Sequence, residues 1–179
     1  MTAAILLMAI LLAPAQSLPA RFTLPKDASL GDASGAAFKV TPPTETGGSS
    51  AYLAVDRGTG VVCQVWVQEH AIADELRGFG KGVADPKFLS QSGDVRMRPG
   101  TFSGKALGDA SYVFSLYGKD LPDRIQVRRG KFRVEGMLQR KRSAINLVFE
   151  RSDSLYLEKL VRATVKSLDR VIKPGGGAE

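Results

Sequence analysis

The final third of this chain repeats apolar side chains at two successive periods, and the change of period restricts the folds open to it. From Ser111 to Glu150 the period is two. Tyr112, Phe114 and Leu116 alternate with Ser111, Val113 and Ser115, and Ile125 and Val127 alternate with Arg124, Gln126 and Arg128. Phe132, Val134 and Leu138 alternate with Arg133, Glu135 and Met137, and Ile145, Leu147 and Phe149 alternate with Asn146, Val148 and Glu150. Successive side chains of a strand point to opposite faces, so the pattern predicts a four-stranded antiparallel meander with one apolar and one largely polar face. In SLYLEKLVRATVKSLDRVI the spacing becomes helical: Leu157, Leu160, Val161, Thr164, Leu168 and Val171 form one stripe. A sheet with an oily face needs a cover, and this helix supplies one. At about 1.5–3 kcal/mol per buried aliphatic side chain, its docking is a main stabiliser of the fold. Asp153 or Ser154 is the expected cap, and Pro174 with the glycines after it stops the helix near Ile172.

Upstream, Ala51 to Val55 and Val61 to Gln68 flank the turn sequence Arg57-Gly58-Thr59-Gly60 and read as a hairpin. In its second strand Val61, Cys63, Val65 and Val67 share one face, while Val62, Gln64, Trp66 and Gln68 share the other. A shorter helix is expected from His70 to about Phe79, ended by Gly78, Gly80 and Gly82, and a short strand over 94–98. Residues 16–50, rich in Pro, Gly, Ser and Thr, read as a loosely structured lead-in with one short strand at 37–40. Residues 173–179 read as a flexible tail. The expected architecture is a single α+β domain over 51–172: an antiparallel β-sheet packed against a long C-terminal amphipathic helix and one shorter helix.

The apolar run from Ala3 to Leu12 is half the length of about 20 residues that a spanning helix needs. It suits the core of a signal peptide, and Ala13-Pro14-Ala15 offers a small-x-small cleavage pattern, with Ala20 as a second choice. The reading is a signal peptide over 1–15 and an exported, periplasmic bacterial protein with no transmembrane segment in its mature chain. The one cysteine, Cys63, permits no internal disulfide.

The net charge is +7, and it is unevenly placed. Residues 16–100 carry nine basic and nine acidic residues, whereas 101–179 carry sixteen and nine. Arg124, Arg128, Arg129, Lys131, Arg133, Arg140, Lys141 and Arg142 are opposed within their own window only by Glu135. The two basic turns at the ends of the Lys131–Leu138 strand lie roughly 25 Å apart at ~3.4 Å per residue, too far to clamp one phosphate. Arg124 and Arg133 point outward on one face and can link them into a basic stripe, a surface for an unknown protein partner or an anionic envelope component. A solvated face that keeps strand edges from pairing explains the same charges without a ligand. Export, and the lack of aromatic residues interleaved with the basic ones, argue against nucleic acid.

Chemistry is sparse. Cys63 and His70 form the one thiol–imidazole pair available, the basis of an alternative reading as a thiol-dependent enzyme. Cys63 nevertheless sits in a valine row, and His70 lies past the end of its strand. One His and one Cys do not make a zinc site, and phosphate-loop, dinucleotide and G-x-S-x-G motifs are absent. No cofactor, metal or catalytic residue is assigned. Trp66, opposite the valine row, belongs either to a second buried face or to an apolar binding surface.

The succession ASYVFSLYG, RIQVRRGKFRVEGML, SAINLVFE and a closing helix ending VRATVKSLDRV resembles the end of the PsbP, Mog1 and DcrB-like α/β fold, with Ser167-Leu168 as the dipeptide near its close. The likeness spans residues 107–172, and the N-terminal half lacks the P-x-G-W-like opening. It implies an antiparallel sheet packed on helices and a non-catalytic binding or assembly module, and it carries over no site residues.

Overall fold

A computed structural model describes residues 17–45, 47–69, 96–115, 121–141, 143 and 148–172. Its seven strands are β1 (Lys39–Thr41), β2 (Ser50–Asp56), β3 (Val61–Glu69), β4 (Arg96–Pro99), β5 (Ala110–Ser115), β6 (Arg124–Arg129) and β7 (Phe132–Arg140). They form one sheet in the order β1-β2-β3-β7-β6-β5-β4, and each neighbouring pair is antiparallel. Two meanders are thus joined through the last strand of each: β3 and β7 pair over nine residues, from Val61↔Arg140 to Glu69↔Phe132. The chain is α+β. The expected helix over 70–79, residues 145–147 of the expected fourth meander strand, the N-terminal segment 1–15 and the tail 173–179 lie outside the described residues, and 148–150, the rest of that expected strand, form no strand.

The hairpins form where glycine admits a left-handed backbone. Gly58 has φ 73° between β2 and β3, and its N–H donates to Asp56 Oδ1 at 2.9 Å. Gly130 has φ 55° between β6 and β7, and its N–H donates to Asp109 Oδ2 at 2.7 Å. At both positions a Cβ would strain the turn.

Helix α1 (Arg151–Ile172) covers one face of the sheet and buries Leu157, Leu160, Val161, Thr164, Val165 and Leu168. Opposite them lie Val61, Cys63, Val65 and Val67 of β3, Ile125 and Val127 of β6, and Phe132, Val134 and Leu138 of β7, all in one core. Gly136 marks the closest crossing: a Cβ there would stand 2.4 Å from Val161 Cγ2 and 3.0 Å from Leu157 Cδ1. The helix begins three residues before Ser154. Asp153 lies in its first turn and accepts the Glu150 N–H at 2.9 Å, the reciprocal half of a capping box. Ser154 is buried and donates instead to Pro122 O at 2.7 Å.

Two local readings differ from the sequence expectation. The lead-in is built into the core through Leu18, Phe22, Leu24, Leu30, Ala33 and Phe38. Phe22 and Phe38 stack with centroids 4.8 Å apart, and a short 3-10 segment, Ala28–Ala33, is capped by Asp27. Pro and Gly mark its turns, but its few large apolar residues fill the space beside α1. Tyr156 reaches across to donate to Leu30 O at 3.1 Å. In β5 the expected faces are reversed: Ser111, Val113 and Ser115 are buried, while Tyr112 and Phe114 lie on the opposite face. Pairing decides this, because Val113 stands against Ile125 under the helix and Tyr112 stands against Gln126.

Candidate binding face

Strand register places every outward side chain of the sheet in rows that cross it. The central row runs Lys39, Tyr52, Trp66, Glu135, Gln126, Tyr112, Pro99. One step along the strands on one side lie Gln68, Arg133 and Arg128, and on the other Gln64, Met137, Arg124 and Phe114. Successive rows are about 7 Å apart, and neighbours within a row about 4.8 Å. This face is therefore a contiguous polar–aromatic field whose middle is the Glu135 carboxylate.

The contacts follow the rows. Gln126 Nε2 donates to Glu135 Oε2 at 3.1 Å, and Arg124 forms an ion pair with Glu135 Oε1. Arg133 donates to Gln68 Oε1 at 2.6 Å, and its Nε lies 3.9 Å from Glu135 Oε2. Trp66 and Tyr52 meet with ring centroids 5.3 Å apart, and the Arg124 guanidinium lies over Phe114 at 5.4 Å. Trp66 is half-buried beside Tyr52 and Glu135, so the valine row and the tryptophan belong to different faces of one sheet. Four polar atoms on this face are buried without a hydrogen-bond partner: Gln64 Oε1, Gln126 Oε1, Arg124 Nε and Arg133 Nε. An unmet buried donor or acceptor costs about 1–3 kcal/mol.

Of the eight basic residues singled out in the sequence, Arg124, Arg128 and Arg133 come together on this face. The other described ones do not join a single stripe. Arg129 points to the helix side and binds Asp169 of α1 and Asp109, the latter at 3.0 Å. Lys131 pairs with Glu69, which also accepts the Ser49 N–H at 3.0 Å and its hydroxyl at 2.8 Å. Arg140 lies over the Phe149 ring at 5.3 Å, and Lys141 pairs with Asp56 at the far end of the sheet. Arg142 lies outside the described residues. Strand parity causes the dispersion, since odd and even positions of β6 and β7 face opposite ways. Burial raises Glu69 and Asp109, yet the hydrogen bonds and cations around each carboxylate outweigh it and hold both below the ordinary range.

The thiol reading fails on burial. Cys63 is wholly inaccessible, and desolvation pushes its thiol up to about 12, so thiolate is scarce at neutral pH. His70 lies outside the described residues. Among the described residues no group of three His, Cys, Asp or Glu could hold a metal ion, and no helix is long and apolar enough to cross a membrane.

A cleft of about 530 Å³ separates the 3-10 segment from α1. Arg57 lies 3.7 Å over the Tyr156 ring there, with Lys159, Asp32 and Asp56 at the rim. Its charges are of both signs, and its best-defined contacts tie the lead-in to the helix.

No protein-family model, curated protein or solved structure matches this chain.

Proposed function

We propose that this chain is a non-enzymatic binding protein of the bacterial envelope that engages an anionic ligand through the face of its sheet opposite α1. One observation carries the reading: Arg128 and Arg133 stand directly opposite each other across β6 and β7, with Arg124 close by, and Glu135 is the single carboxylate among them. Like charges opposite one another in a ladder are destabilising, and an anion seated between them relieves that repulsion. Export rests on the ten-residue apolar run before Ala13-Pro14-Ala15. The resemblance to the PsbP, Mog1 and DcrB-like proteins accords with an accessory role and rests on element order and the Ser167-Leu168 dipeptide.

The test is binding of the full chain to phosphatidylglycerol vesicles and to polyglutamate, measured against salt. Screening shortens the reach of these charges to about 8 Å at physiological ionic strength, so affinity should fall steeply as salt rises. An Arg128→Glu/Arg133→Glu variant should bind both probes about tenfold more weakly or worse, while Lys141→Glu, at the far end of the sheet, should bind as the parent does. Salt-indifferent binding, or equal loss in the two variants, overturns the assignment to this face.

A further inference from the structure

The cleft between the 3-10 segment and α1 lies on the helix side of the molecule, away from the face just described. Its volume of about 530 Å³ falls within the range of small-molecule sites, about 300–1,000 Å³. Solvent reaches it: Ser29, Gly31, Asp32, Asp56, Leu155 and Lys159 all line it and are all exposed.

Three of its charges hold no opposite charge of the protein. Among the described residues no carboxylate pairs with Arg57 or Lys159, and no cation pairs with Asp32. Asp56, by contrast, is occupied by Lys141 and by the Gly58 N–H. Arg57 is half-buried and held in place. Its guanidinium lies 3.7 Å over the Tyr156 ring, and the Tyr156 hydroxyl donates to Leu30 O at 3.1 Å. A guanidinium stacked on a ring keeps its edge for in-plane hydrogen bonds to a carboxylate. The Tyr156 hydroxyl lies within electrostatic reach of both Arg57 and Asp32, so charges of opposite sign flank one side chain.

The walls between these charges are apolar or bare. Leu155 is 39 % exposed, one of two exposed large apolar side chains among the described residues, and Val55 and Leu30 line the same cleft. At Gly31 the backbone has φ 53°, and an added Cβ would meet nothing within 4 Å, so a ligand can approach the main chain there. A simple anion in this cleft leaves Asp32 unmatched, and a simple cation leaves Arg57 and Lys159 unmatched. A ligand carrying both charges on an apolar body meets all three.

We infer that this cleft binds a small zwitterion with an apolar body, the chemistry shared by free amino acids and short peptides. Its carboxylate lies at Arg57 and Lys159, its ammonium at Asp32, and its apolar side chain against Leu155. The inference is independent of the anion-binding reading above, since it uses other residues on another surface.

The full chain is titrated by calorimetry with leucine, with the peptide Leu-Ala-Leu, with its N-acetyl and C-amide forms, and with octanoate. The expected result is saturable binding of leucine or Leu-Ala-Leu, with the peptide weakened about tenfold or more by either blocking group, the consequence of losing a charge-assisted hydrogen bond. Asp32→Asn should weaken binding of the free peptide and leave the N-acetyl form unaffected. Lys159→Gln should weaken the free peptide and leave the C-amide form unaffected. Leu155→Ser should weaken both forms. All three residues are exposed, so the urea midpoint should hold in each variant. Lys105→Gln, exposed and outside the cleft, should bind as the parent does. No saturable heat with either leucine or Leu-Ala-Leu overturns the inference. So does binding that survives both blocking groups, or binding that both charge variants leave unchanged. Octanoate binding as tightly as the peptide overturns the role of Asp32 and with it the zwitterion. Vesicle binding should be the same in Asp32→Asn as in the parent, so this inference and the anion reading fail separately.

Discussion

Gly136 sets how closely α1 approaches the sheet, and Gly136→Ala measures that approach. The added Cβ would lie 2.4 Å from Val161 Cγ2, where carbon atoms in contact prefer about 3.5–4.0 Å, so the helix or the strand must give by more than about 1 Å. Neither neighbour yields easily. Val161 and Leu157 are wholly buried, and a β-branched side chain in a helix has one strongly preferred rotamer. Overpacking of this kind costs about 1–3 kcal/mol, while replacing glycine by alanine in extended backbone returns about 0.4–1 kcal/mol through the unfolded chain. The net expectation is a loss of about 1–2 kcal/mol, or about 2–8 °C in Tm for a chain of this size. Urea denaturation of four proteins closes the cycle: parent, Gly136→Ala, Val161→Ala and the double variant. Val161→Ala alone opens a cavity and destabilises, but in the double variant the new methyl occupies part of the vacated space. The pair should therefore be less destabilised than the sum of the two by about 1 kcal/mol. Strict additivity, or an unchanged midpoint for Gly136→Ala, would refute the claim that this contact fixes the docking distance.

Two further outcomes follow from buried polar groups. Cys63 should resist maleimide labelling in the native protein and label fully in urea, and rapid native labelling would contradict its burial among the valines of β3. Glu158 is raised by burial but lowered further by hydrogen bonds from Ser103, at 2.6 and 2.9 Å, and from Arg162, so its folded pKa lies below the ordinary value. A depressed carboxyl contributes stability in full above its unfolded pKa of about 4.3 and loses it as pH falls through the folded value. Glu158→Gln should therefore be less stable than the parent at pH 7 and show a shallower decline between about pH 5 and 3, and parallel profiles would refute the assignment.

The amphipathic stripe from Leu157 to Leu168 and the alternation along β3, β6 and β7 are local patterns, and local patterns name elements. Period two and helical spacing are legible in one strand or one helix without reference to the rest of the chain. The helix-covered sheet and the valine row around Cys63 were legible for that reason, as was the outward direction of Arg124 and Arg133. The cap of α1 was misplaced by a few residues because Asp153 serves the helix from inside its first turn. Tyr112 and Phe114 went to the wrong face because serine and valine at 111 and 113 look less buried than aromatic residues do, until Ile125 stands beside them.

The face opposite α1 was legible only strand by strand, not as one surface. Trp66, Gln126 and Glu135 come from three strands, and the row they form exists only because β3 pairs with β7, some seventy residues on. Charge alone singled out eight basic residues, yet parity and ion pairing leave three of the seven described ones on that surface. By itself the sequence determined which segments become strands or helix, since apolar periodicity acts within a segment. Tertiary structure decided which side chains meet, which cations keep a carboxylate and which donors and acceptors stay unmet, since those depend on register between strands distant in the chain.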